Sequence, residues 1–250
     1  MQVVVGSLLT NYNQRGKGPV VVLLHGWGDS AKSFDKLAAG LVNDYTVVGV
    51  DLPGFGGTQA PVETWGVDEY ATFVQHFLDK THVKPYAFIA HSNGGTIAIR
   101  GLANGSLQAQ KLVLLASAGL RDVYKGRRRS LRLAAKAAKL ATYPLPKRLQ
   151  TKLKKRAYKA VGSDLFVAEH LQETFKKVVT DDILADARKL TLPTVLIYGI
   201  EDTATPPRYG QLINQAIPGS TLHLLENATH YVHHDQPQAV QKIVQEFLSV

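Results

Sequence analysis

YAFIAHSNGG, residues 86–95, leads an apolar run into a serine that is enclosed by small residues. A short apolar run that ends at turn residues is typical of a buried strand. Residues 94–104 then place Ile97, Ala98, Leu102 and Ala103 at helical spacing, which predicts a helix packed on the sheet. A strand, a sharp turn and a helix form the setting of a nucleophile elbow. The stretch therefore predicts that the turn lifts Ser92 into a pocket.

The turn around Ser92 is expected to strain the backbone, so the residues two before and two after it must be small. These residues are Ala90 and Gly94, and Gly95 follows as a second glycine. Ala90 departs from the strict glycine-x-serine-x-glycine pattern. An ordinary strand-to-helix turn would show similar small residues, so a chemical role for Ser92 depends on partners elsewhere in the chain.

Short apolar runs alternate with helical patterns along most of the chain, which predicts a mostly parallel central sheet flanked by helices, an α/β fold. The alternation breaks at residues 120–180, where helical stretches replace it. We therefore predict a core made of residues 1–119 and 181–250 and a helical lid, or cap, made of residues 120–180. Within the core, helices are predicted at residues 30–42, 67–80, 94–104, 207–216 and 237–248.

The chain has the size and composition of one soluble domain, with 250 residues, 45% hydrophobic and 20% charged. No segment approaches the roughly 18 consecutive apolar residues of a membrane span. The N-terminus lacks the basic leader of a secretory signal. Because the chain contains no cysteine, disulfides and thiolate metal sites are excluded. We expect a cytoplasmic protein without a transmembrane segment.

Positive charge is concentrated in the predicted lid. Residues 121–160 contain fifteen Lys or Arg and one acidic residue, whereas the net charge of the whole chain is +9. An alanine- and leucine-rich face favours helices that cover a pocket while their charges face water. The alternatives are attraction of anionic substrates or adhesion to an anionic membrane or nucleic-acid surface. Few aromatic residues interleave the charges, so nucleic-acid binding is not expected as the main role.

Two side chains that could activate a serine follow predicted strands directly. Asp202 comes after the strand at residues 193–199, and His230 comes after the strand at residues 221–225. The carboxyl ends of parallel strands open into one crevice, so Ser92, Asp202 and His230 are expected on one rim. A serine hydroxyl needs a base to take its proton, and the base needs an acid to orient it. The three residues therefore predict nucleophilic catalysis.

Other residues near these positions could in principle take the same roles. Glu201 neighbours Asp202 and is the alternative acid, although Asp202 is favoured. No group has metal-ligand spacing and no loop matches a phosphate-binding fingerprint, so neither a metal nor an organic cofactor is expected. Roles in shaping or hydrogen-bonding the structure are expected for the remaining candidates: His25, His91, His233, His234 and Asp51.

Five motifs follow one another over essentially the whole chain: HGWG (25–28), DLPGFGGT (51–58), AHSNGG (90–95), YGIEDTATP (198–206) and NATHYVHHDQP (227–237). In this order they resemble the α/β-hydrolase superfamily, and in particular its lidded serine carboxylesterases. The order serine, acid, histidine is also that of the family. The resemblance implies an α/β-hydrolase fold with an inserted helical lid.

The resemblance also implies roles for individual residues. Ser92 would be the nucleophile, His230 the base and Asp202 the acid, and the backbone N–H groups of Trp27 and Asn93 would form the oxyanion hole. Some members of the family carry the acid after an earlier strand, where this chain has Ser117. Because lids of similar proteins supply the substrate pocket, an apolar wall is expected from Tyr124, Leu145, Phe166 and Phe175.

A serine at the elbow argues for acyl transfer, whereas epoxide hydrolases and haloalkane dehalogenases of this superfamily carry an aspartate there. HGWG resembles the loop of small-ester carboxylesterases more than the HGGPG of proline iminopeptidases or the HGxGPG of carbon–carbon hydrolases. We expect hydrolysis of small to medium carboxylic esters through an acyl-enzyme. The alternatives are a carbon–carbon bond hydrolase of the same fold and a non-catalytic protein that binds ligands or anionic surfaces.

Overall fold

A computed structural model of the protein describes residues 1–121, 149 and 168–249. Within them, eight strands form one sheet in the order β1-β2-β4-β3-β5-β6-β7-β8. The pairs β1–β2 and β2–β4 are antiparallel, and the other five pairs are parallel. This confirms the predicted fold class. The strands are Gln2–Val5 (β1), Leu8–Arg15 (β2), Val20–Leu24 (β3), Thr46–Val50 (β4), Pro85–His91 (β5), Lys111–Leu115 (β6), Thr194–Gly199 (β7) and Thr221–Leu225 (β8).

The helices cover both faces of the sheet. In the described part of the chain they are Asp35–Ala39 (α1), Val67–Thr81 (α2), Asn93–Ala103 (α3), Gln172–Val178 (α4), Leu184–Ala187 (α5), Pro207–Ala216 (α6), Val232–Asp235 (α7) and Pro237–Ser249 (α8), with short 3₁₀ turns at Ala31–Phe34 and Glu169–Leu171. No helix among these is long and apolar enough to cross a lipid bilayer.

The strands at the centre of the sheet are buried because both faces are covered. Every residue of β6 and β7 is buried, and the sequences KLVLL and TVLIYG are the continuous apolar runs expected of parallel strands. One core lies between the sheet and helices α2 to α6. A second core lies between the other face of the sheet and helices α1, α7 and α8.

The helix predicted at residues 30–42 is shorter than its apolar pattern indicated. A 3₁₀ turn at Ala31–Phe34 leads into α1, which ends at Ala39 and is capped by Gly40. The buried residues Phe34, Leu37 and Leu41 nevertheless face the second core. The apolar periodicity therefore identified the buried face correctly, but tertiary packing divided the helix.

Most of the predicted lid lies outside the described residues, including Tyr124, Leu145, Phe166 and nearly all of the basic segment. The lid, its apolar wall and its attraction for anionic substrates or surfaces therefore stay predictions. The described end of this region packs on the core, since Leu171 and Val178 are buried in the first core. Thr174 Oγ1 accepts a hydrogen bond from Trp65 N–H at 3.2 Å.

Arg100 on α3 joins three segments through carboxylates. Its guanidinium donates to Asp186 at 2.6 Å, to Asp68 at 2.8 Å and to Asp181 at 2.8 Å, and its side chain is 16% exposed. Because the pairing with Asp186 is largely shielded from water, removing the cation leaves a poorly solvated carboxylate.

Arg100→Met is expected to lower the free energy of unfolding by about 2–3 kcal/mol, reduced from the cost of a fully buried pair because Asp68 is exposed. Arg15→Met is the matched control, since Arg15 forms a single exposed pair with Asp35 and should lose no more than about 1 kcal/mol. Urea unfolding measures both variants. Equal losses would contradict the assignment of Arg100 as a structural junction.

Candidate active site

Ser92 stands at the turn between β5 and α3, where the sequence predicted it. Its backbone angles are φ 51° and ψ −115°, a conformation that costs energy for any residue with a Cβ atom. The surrounding structure holds the turn in place: Ser92 N–H donates to Leu115 O at 3.0 Å, and Ser92 O accepts from Ala118 N–H at 3.1 Å. The strained turn raises the serine side chain above the end of the sheet.

Gly94 lets the turn approach the neighbouring strand. A Cβ atom at this position would lie 2.2 Å from Leu24 O and 2.8 Å from His25 O. Both are backbone atoms of the adjacent strand end and cannot rotate away. The small residue two positions after Ser92 is therefore required by close backbone contact.

The structure brings Ser92, His230 and Asp202 into one chain of hydrogen bonds. His230 Nε2 lies 2.9 Å from Ser92 Oγ, and His230 Nδ1 lies 2.9 Å from Asp202 Oδ2. The imidazole is 20% exposed and the carboxylate is fully buried. In this arrangement the Nδ1–H donates to the carboxylate, which leaves the lone pair of Nε2 facing the serine hydroxyl. Glu201, the alternative acid, is exposed to solvent.

Asp202 is fixed in place by the loop that follows β7. Its Oδ1 accepts hydrogen bonds from Ala204 N–H at 2.7 Å and Thr205 N–H at 2.9 Å. These two bonds orient the carboxylate so that Oδ2 faces His230. Asp side chains commonly accept hydrogen bonds from backbone N–H groups a few residues further along the chain in turns of this kind.

Thr205 is a site residue that the sequence analysis missed. Its hydroxyl lies 2.7 Å from Asp202 Oδ2, 3.0 Å from Ala116 O and 3.1 Å from His230 Nδ1, and it is buried. The hydroxyl carries one proton, and the contact with Asp202 is the shortest. The signal in the sequence was the threonine three positions after the acid, a spacing that lets one residue supply both a backbone and a side-chain donor.

Trp27 and Asn93 line the same cavity as Ser92 and His230. No other described residue accepts a hydrogen bond from the backbone N–H of either Trp27 or Asn93. Asn93 is the first residue of α3, whose N-terminal N–H groups have no acceptor within the helix and carry partial positive charge. Two unpaired backbone donors therefore lie beside the serine.

The loop that carries Trp27 is held by His25 and Asp51. Leu52 N–H donates to His25 Nε2 at 2.8 Å, so His25 Nδ1 carries the proton and donates to Gly26 O at 2.7 Å. Burial lowers the pKa of His25, which suits this neutral tautomer. Asp51 accepts from Ala31 N–H and Gly57 N–H, each at 2.8 Å. Both residues hold loops, as the sequence indicated.

The cavity measures about 180 Å³ and is bounded by apolar side chains on the side of α4. Phe175, from the expected apolar wall, packs against Trp27 with ring centroids 5.2 Å apart. No Lys, Arg, Asp or Glu is among the described residues that line the cavity. The lining residues are Trp27, Ser92, Asn93, Thr96, Ala118, Gly119, Leu120, Phe175, Val178, Val179, Ala204, Thr205, Tyr209 and His230.

A row of imidazoles supports the loop of His230. His91 lies between His230 and His233, with ring centroids 4.8 Å and 4.9 Å away, and its Nε2 donates to His230 O at 2.9 Å. Burial, followed by the neighbouring imidazoles, holds the pKa of His91 well below its ordinary value. The described residues contain no group of three His, Asp or Glu side chains arranged to hold a metal ion.

His233 is expected to make stability depend on pH. Burial, aided by the charges that His234 and His230 would carry, lowers its pKa from 6.5 to about 3. Between these two values the unfolded chain binds the proton and the folded chain does not, so stability falls as the pH drops below about 6.5. The rings of His233 and Phe34 are stacked with their centroids 5.2 Å apart. A phenylalanine in place of His233 would therefore keep an aromatic neighbour.

His233→Phe should therefore be more stable relative to wild type at about pH 5.5 than at about pH 8, by about 1 kcal/mol. Urea unfolding at the two pH values measures the difference. His76→Phe, at an exposed position of α2, is the control and should show the same relative stability at both. If the stability of His233→Phe relative to wild type is the same at both pH values, His233 is not the source of the pH dependence.

The chain resembles known hydrolases over most of its length. The family model described as "Alpha/beta hydrolase family" matches residues 21–242. The chain is 25% identical over 243 residues to the pimeloyl-[acyl-carrier protein] methyl ester esterase of Neisseria meningitidis, covering 91% of this chain and 93% of that protein. It is 25% identical over 268 residues to the 2-hydroxy-6-oxo-2,4-heptadienoate hydrolase of Pseudomonas putida, covering 99% and 95%.

Among solved structures, the enol-lactonase from Burkholderia xenovorans LB400 superposes with a TM-score of 0.77 at 20% identity and covers 100% of both chains. At this identity the likeness shows the fold alone.

Proposed function

The chain belongs to the alpha/beta hydrolase family, and from that premise we propose that it is a serine hydrolase that cleaves carboxylic esters of small molecules through an acyl-enzyme. The observation that carries the proposal is the continuous hydrogen-bond chain from Ser92 through His230 to Asp202. Ser92 and His230 line a cavity together with Trp27 and Asn93, whose backbone N–H groups have no acceptor among the described residues. Nucleophile, base, acid and oxyanion donors are thus all available in one place.

In the first half of the reaction, Ser92 Oγ attacks the ester carbonyl carbon while its proton passes to His230 Nε2. Asp202 stabilises the imidazolium through Nδ1–H. The carbonyl oxygen becomes negative, and the N–H groups of Trp27 and Asn93 donate to it. Donors of this type are worth about 3–4 kcal/mol each in a comparable hydrolase. The C–O bond then breaks, and His230 returns the proton to the departing alcohol.

In the second half, water takes the place of the alcohol. His230 Nε2 removes a proton from the water as its oxygen attacks the acyl carbon of the ester on Ser92. The same two N–H groups stabilise the second oxyanion. Collapse of this intermediate releases the carboxylic acid and returns the proton to Ser92, so the enzyme ends in its starting state.

The size of the cavity favours substrates with a small acyl group. Its volume of about 180 Å³ is below the roughly 300–1,000 Å³ of pockets that enclose drug-sized ligands. The apolar side chains around it favour an uncharged acyl portion. Esters of short acids are therefore the substrates that the described residues fit best.

A fluorophosphonate probe and a chain-length series of p-nitrophenyl esters test the proposal. The probe should label the wild-type protein and not Ser92→Ala, because it reacts with an activated serine. The kcat/KM values should be highest for short acyl chains. An unlabelled wild-type protein that hydrolyses none of the esters would favour a binding role and defeat the proposal.

A carbon–carbon bond hydrolase is the second candidate, favoured by the match to the Pseudomonas putida hydrolase over 99% of this chain. The same serine, histidine and oxyanion donors could act on a ketone whose carbon–carbon bond is cleaved by water. Turnover of a ring-cleavage dienone compared with turnover of a short p-nitrophenyl ester separates the two. A higher kcat/KM for the dienone would replace the ester assignment while keeping the same site residues.

Thr205 is expected to act as a positioning residue for Asp202 and His230. Thr205→Val removes the hydroxyl that lies 2.7 Å from Asp202 Oδ2 but keeps the shape of the side chain. We expect kcat to fall about 10-fold, because the loss of one hydrogen bond to a charged group costs about 1.5 kcal/mol or more. KM should change less. Thr205→Ser restores the hydroxyl and should recover most of the rate, which a purely space-filling role would not explain.

A further inference from the structure

His91 is a buried imidazole between two loops of the active site. The oxyanion loop, residues 25–30, carries Trp27, and the base loop, residues 226–231, carries His230. His91 is 1% exposed and is not among the described residues that line the cavity. The reaction proposed above uses no atom of its side chain. The contacts of the ring with the two loops therefore have to explain it.

One edge of the His91 ring holds the base loop. Its Nε2–H donates to the backbone carbonyl of His230 at 2.9 Å. The two rings also pack on each other, with centroids 4.8 Å apart. The hydrogen bond fixes the backbone from which the catalytic imidazole projects, while Asp202 fixes the imidazole itself at Nδ1. The base is thus held at both its backbone and its side chain.

Another part of the same ring packs against the oxyanion loop. A Cβ atom at Gly26 would lie 2.9 Å from His91 Nδ1 and 3.3 Å from His91 Cε1, so the ring leaves room only for a glycine. The carbonyl of Gly26 accepts a hydrogen bond from His25 Nδ1 at 2.7 Å. Because the carbonyl and the N–H of a trans peptide point in opposite directions, these contacts also set the direction of the Trp27 N–H.

Packing alone does not explain a histidine at this position. Since His91 Nε2 carries the proton that it donates to His230 O, His91 Nδ1 is a bare acceptor. This atom is buried and makes no hydrogen bond with any residue that the structure describes. A methionine would fill a similar space without leaving a buried nitrogen unpaired, which costs free energy. The bond to His230 O is the feature that an apolar side chain would not supply.

We propose that His91 is a positioning residue that spans the oxyanion loop and the base loop, so that its ring sets the distance between the Trp27 N–H and the imidazole of His230. The transition state uses both groups at once, and a misplacement of about 1 Å can lower a rate by about 100-fold. His91 acts through these two loops without touching the reacting atoms. The proposal rests on the proposed hydrolase function, because it assigns a role in the same site.

His91→Met and His91→Gln test the hydrogen bond to His230 O. The two side chains have similar length, but only the glutamine amide can donate. His91→Met should lower kcat on a short p-nitrophenyl ester by about 10- to 100-fold. KM should change less, because His91 does not line the cavity. His91→Gln should recover most of the lost rate. A wild-type kcat in His91→Met, or equal losses in the two variants, would overturn the role of the bond.

His233→Met is the matched control. His233 is 3% exposed, its ring centroid lies 4.9 Å from that of His91, and neither of its nitrogens bonds to a described residue. The variant therefore removes a neighbouring buried imidazole while leaving the bond to His230 O intact. We expect a kcat close to that of wild type, measured at a temperature where thermal unfolding shows all variants to be folded. A loss equal to that of His91→Met would assign the effect to general packing and overturn the proposal.

A double-mutant cycle tests the contact with the oxyanion loop. Gly26→Ala directs a methyl group at the His91 ring and should lower kcat, and His91→Ala removes the ring and should also lower it. In the double variant the methyl group enters the space that the ring has left. Its kcat should therefore exceed the value expected from multiplying the two losses by about 5-fold, a coupling typical of residues in contact. Losses that simply multiply would show that the ring does not connect the two loops.

The outcomes separate this proposal from the one on which it rests. If the wild-type protein hydrolyses esters and His91→Met does so equally fast, the positioning proposal fails while the hydrolase assignment stands. If the wild-type protein hydrolyses none of the esters and the fluorophosphonate probe leaves Ser92 unlabelled, both proposals fail together. A loss in His91→Met that glutamine restores, with a normal rate in His233→Met, supports both.

Discussion

Ser92→Ala should lower the rate of ester hydrolysis by about 10⁴- to 10⁶-fold, the loss seen when the nucleophile of another serine hydrolase is removed. Without Oγ, no acyl-enzyme forms, and His230 Nε2 has no hydroxyl to activate. The oxyanion donors and the cavity remain, so a small residual rate above that of water is expected. Steady-state kinetics on a short p-nitrophenyl ester measures the effect.

Ser92→Gly is the informative companion to this variant. It should be as inactive as Ser92→Ala, but more stable by about 1 kcal/mol, because glycine adopts a φ of 51° without the strain that a Cβ atom imposes. Urea unfolding of the two variants measures that difference. A Ser92→Ala protein that keeps more than a tenth of the wild-type rate would remove the serine from the mechanism.

Asp202→Asn should lower kcat by about 10⁴-fold, as the equivalent change does in another hydrolase with the same chemistry. An amide that keeps its oxygen toward Ala204 N–H and Thr205 N–H presents NH₂ to His230 Nδ1 in place of the carboxylate oxygen. The imidazole then carries its proton on Nε2, where it cannot accept the proton of Ser92. The rate falls because the base is held in the wrong tautomer.

Glu201→Gln is the control for Asp202→Asn. It makes the same chemical change at the neighbouring position, but Glu201 is exposed and lies outside the hydrogen-bond chain. We expect its rate to stay close to that of wild type. Comparable losses in the two variants would show that the charge of the loop, rather than the contact with His230, sets the rate.

The fold was predictable because its signals are local. Continuous apolar runs predict buried strands, as in PVVVLL, KLVLLA and PTVLIYG. The helical spacing of Tyr70, Phe73, Val74 and Phe77 predicts a helix with one buried face. The carboxyl ends of parallel strands all lie at the same edge of the sheet. The meeting of Ser92, Asp202 and His230 follows from topology, although they lie far apart in the sequence.

Other features depended on contacts that no local pattern records. The predicted helix at residues 30–42 is divided because its packing against the second core, and not its periodicity, sets where regular hydrogen bonding stops. Thr205 was missed because threonine is common after a turn, and its role depends on two residues from other strand ends. The support that His91 gives to His230 O spans 139 positions.

The sequence by itself determined the order of strands and helices, the strained turn at Ser92 and the rim on which acid and base emerge, since these depend on residue periodicity and chain direction. Only the tertiary structure decided which atoms pair. It placed Asp202 within hydrogen-bond distance of His230, left Glu201 exposed, and brought Thr205 to the same two side chains. The reason is that a hydrogen bond requires two atoms within about 3 Å, and packing between distant segments sets such distances.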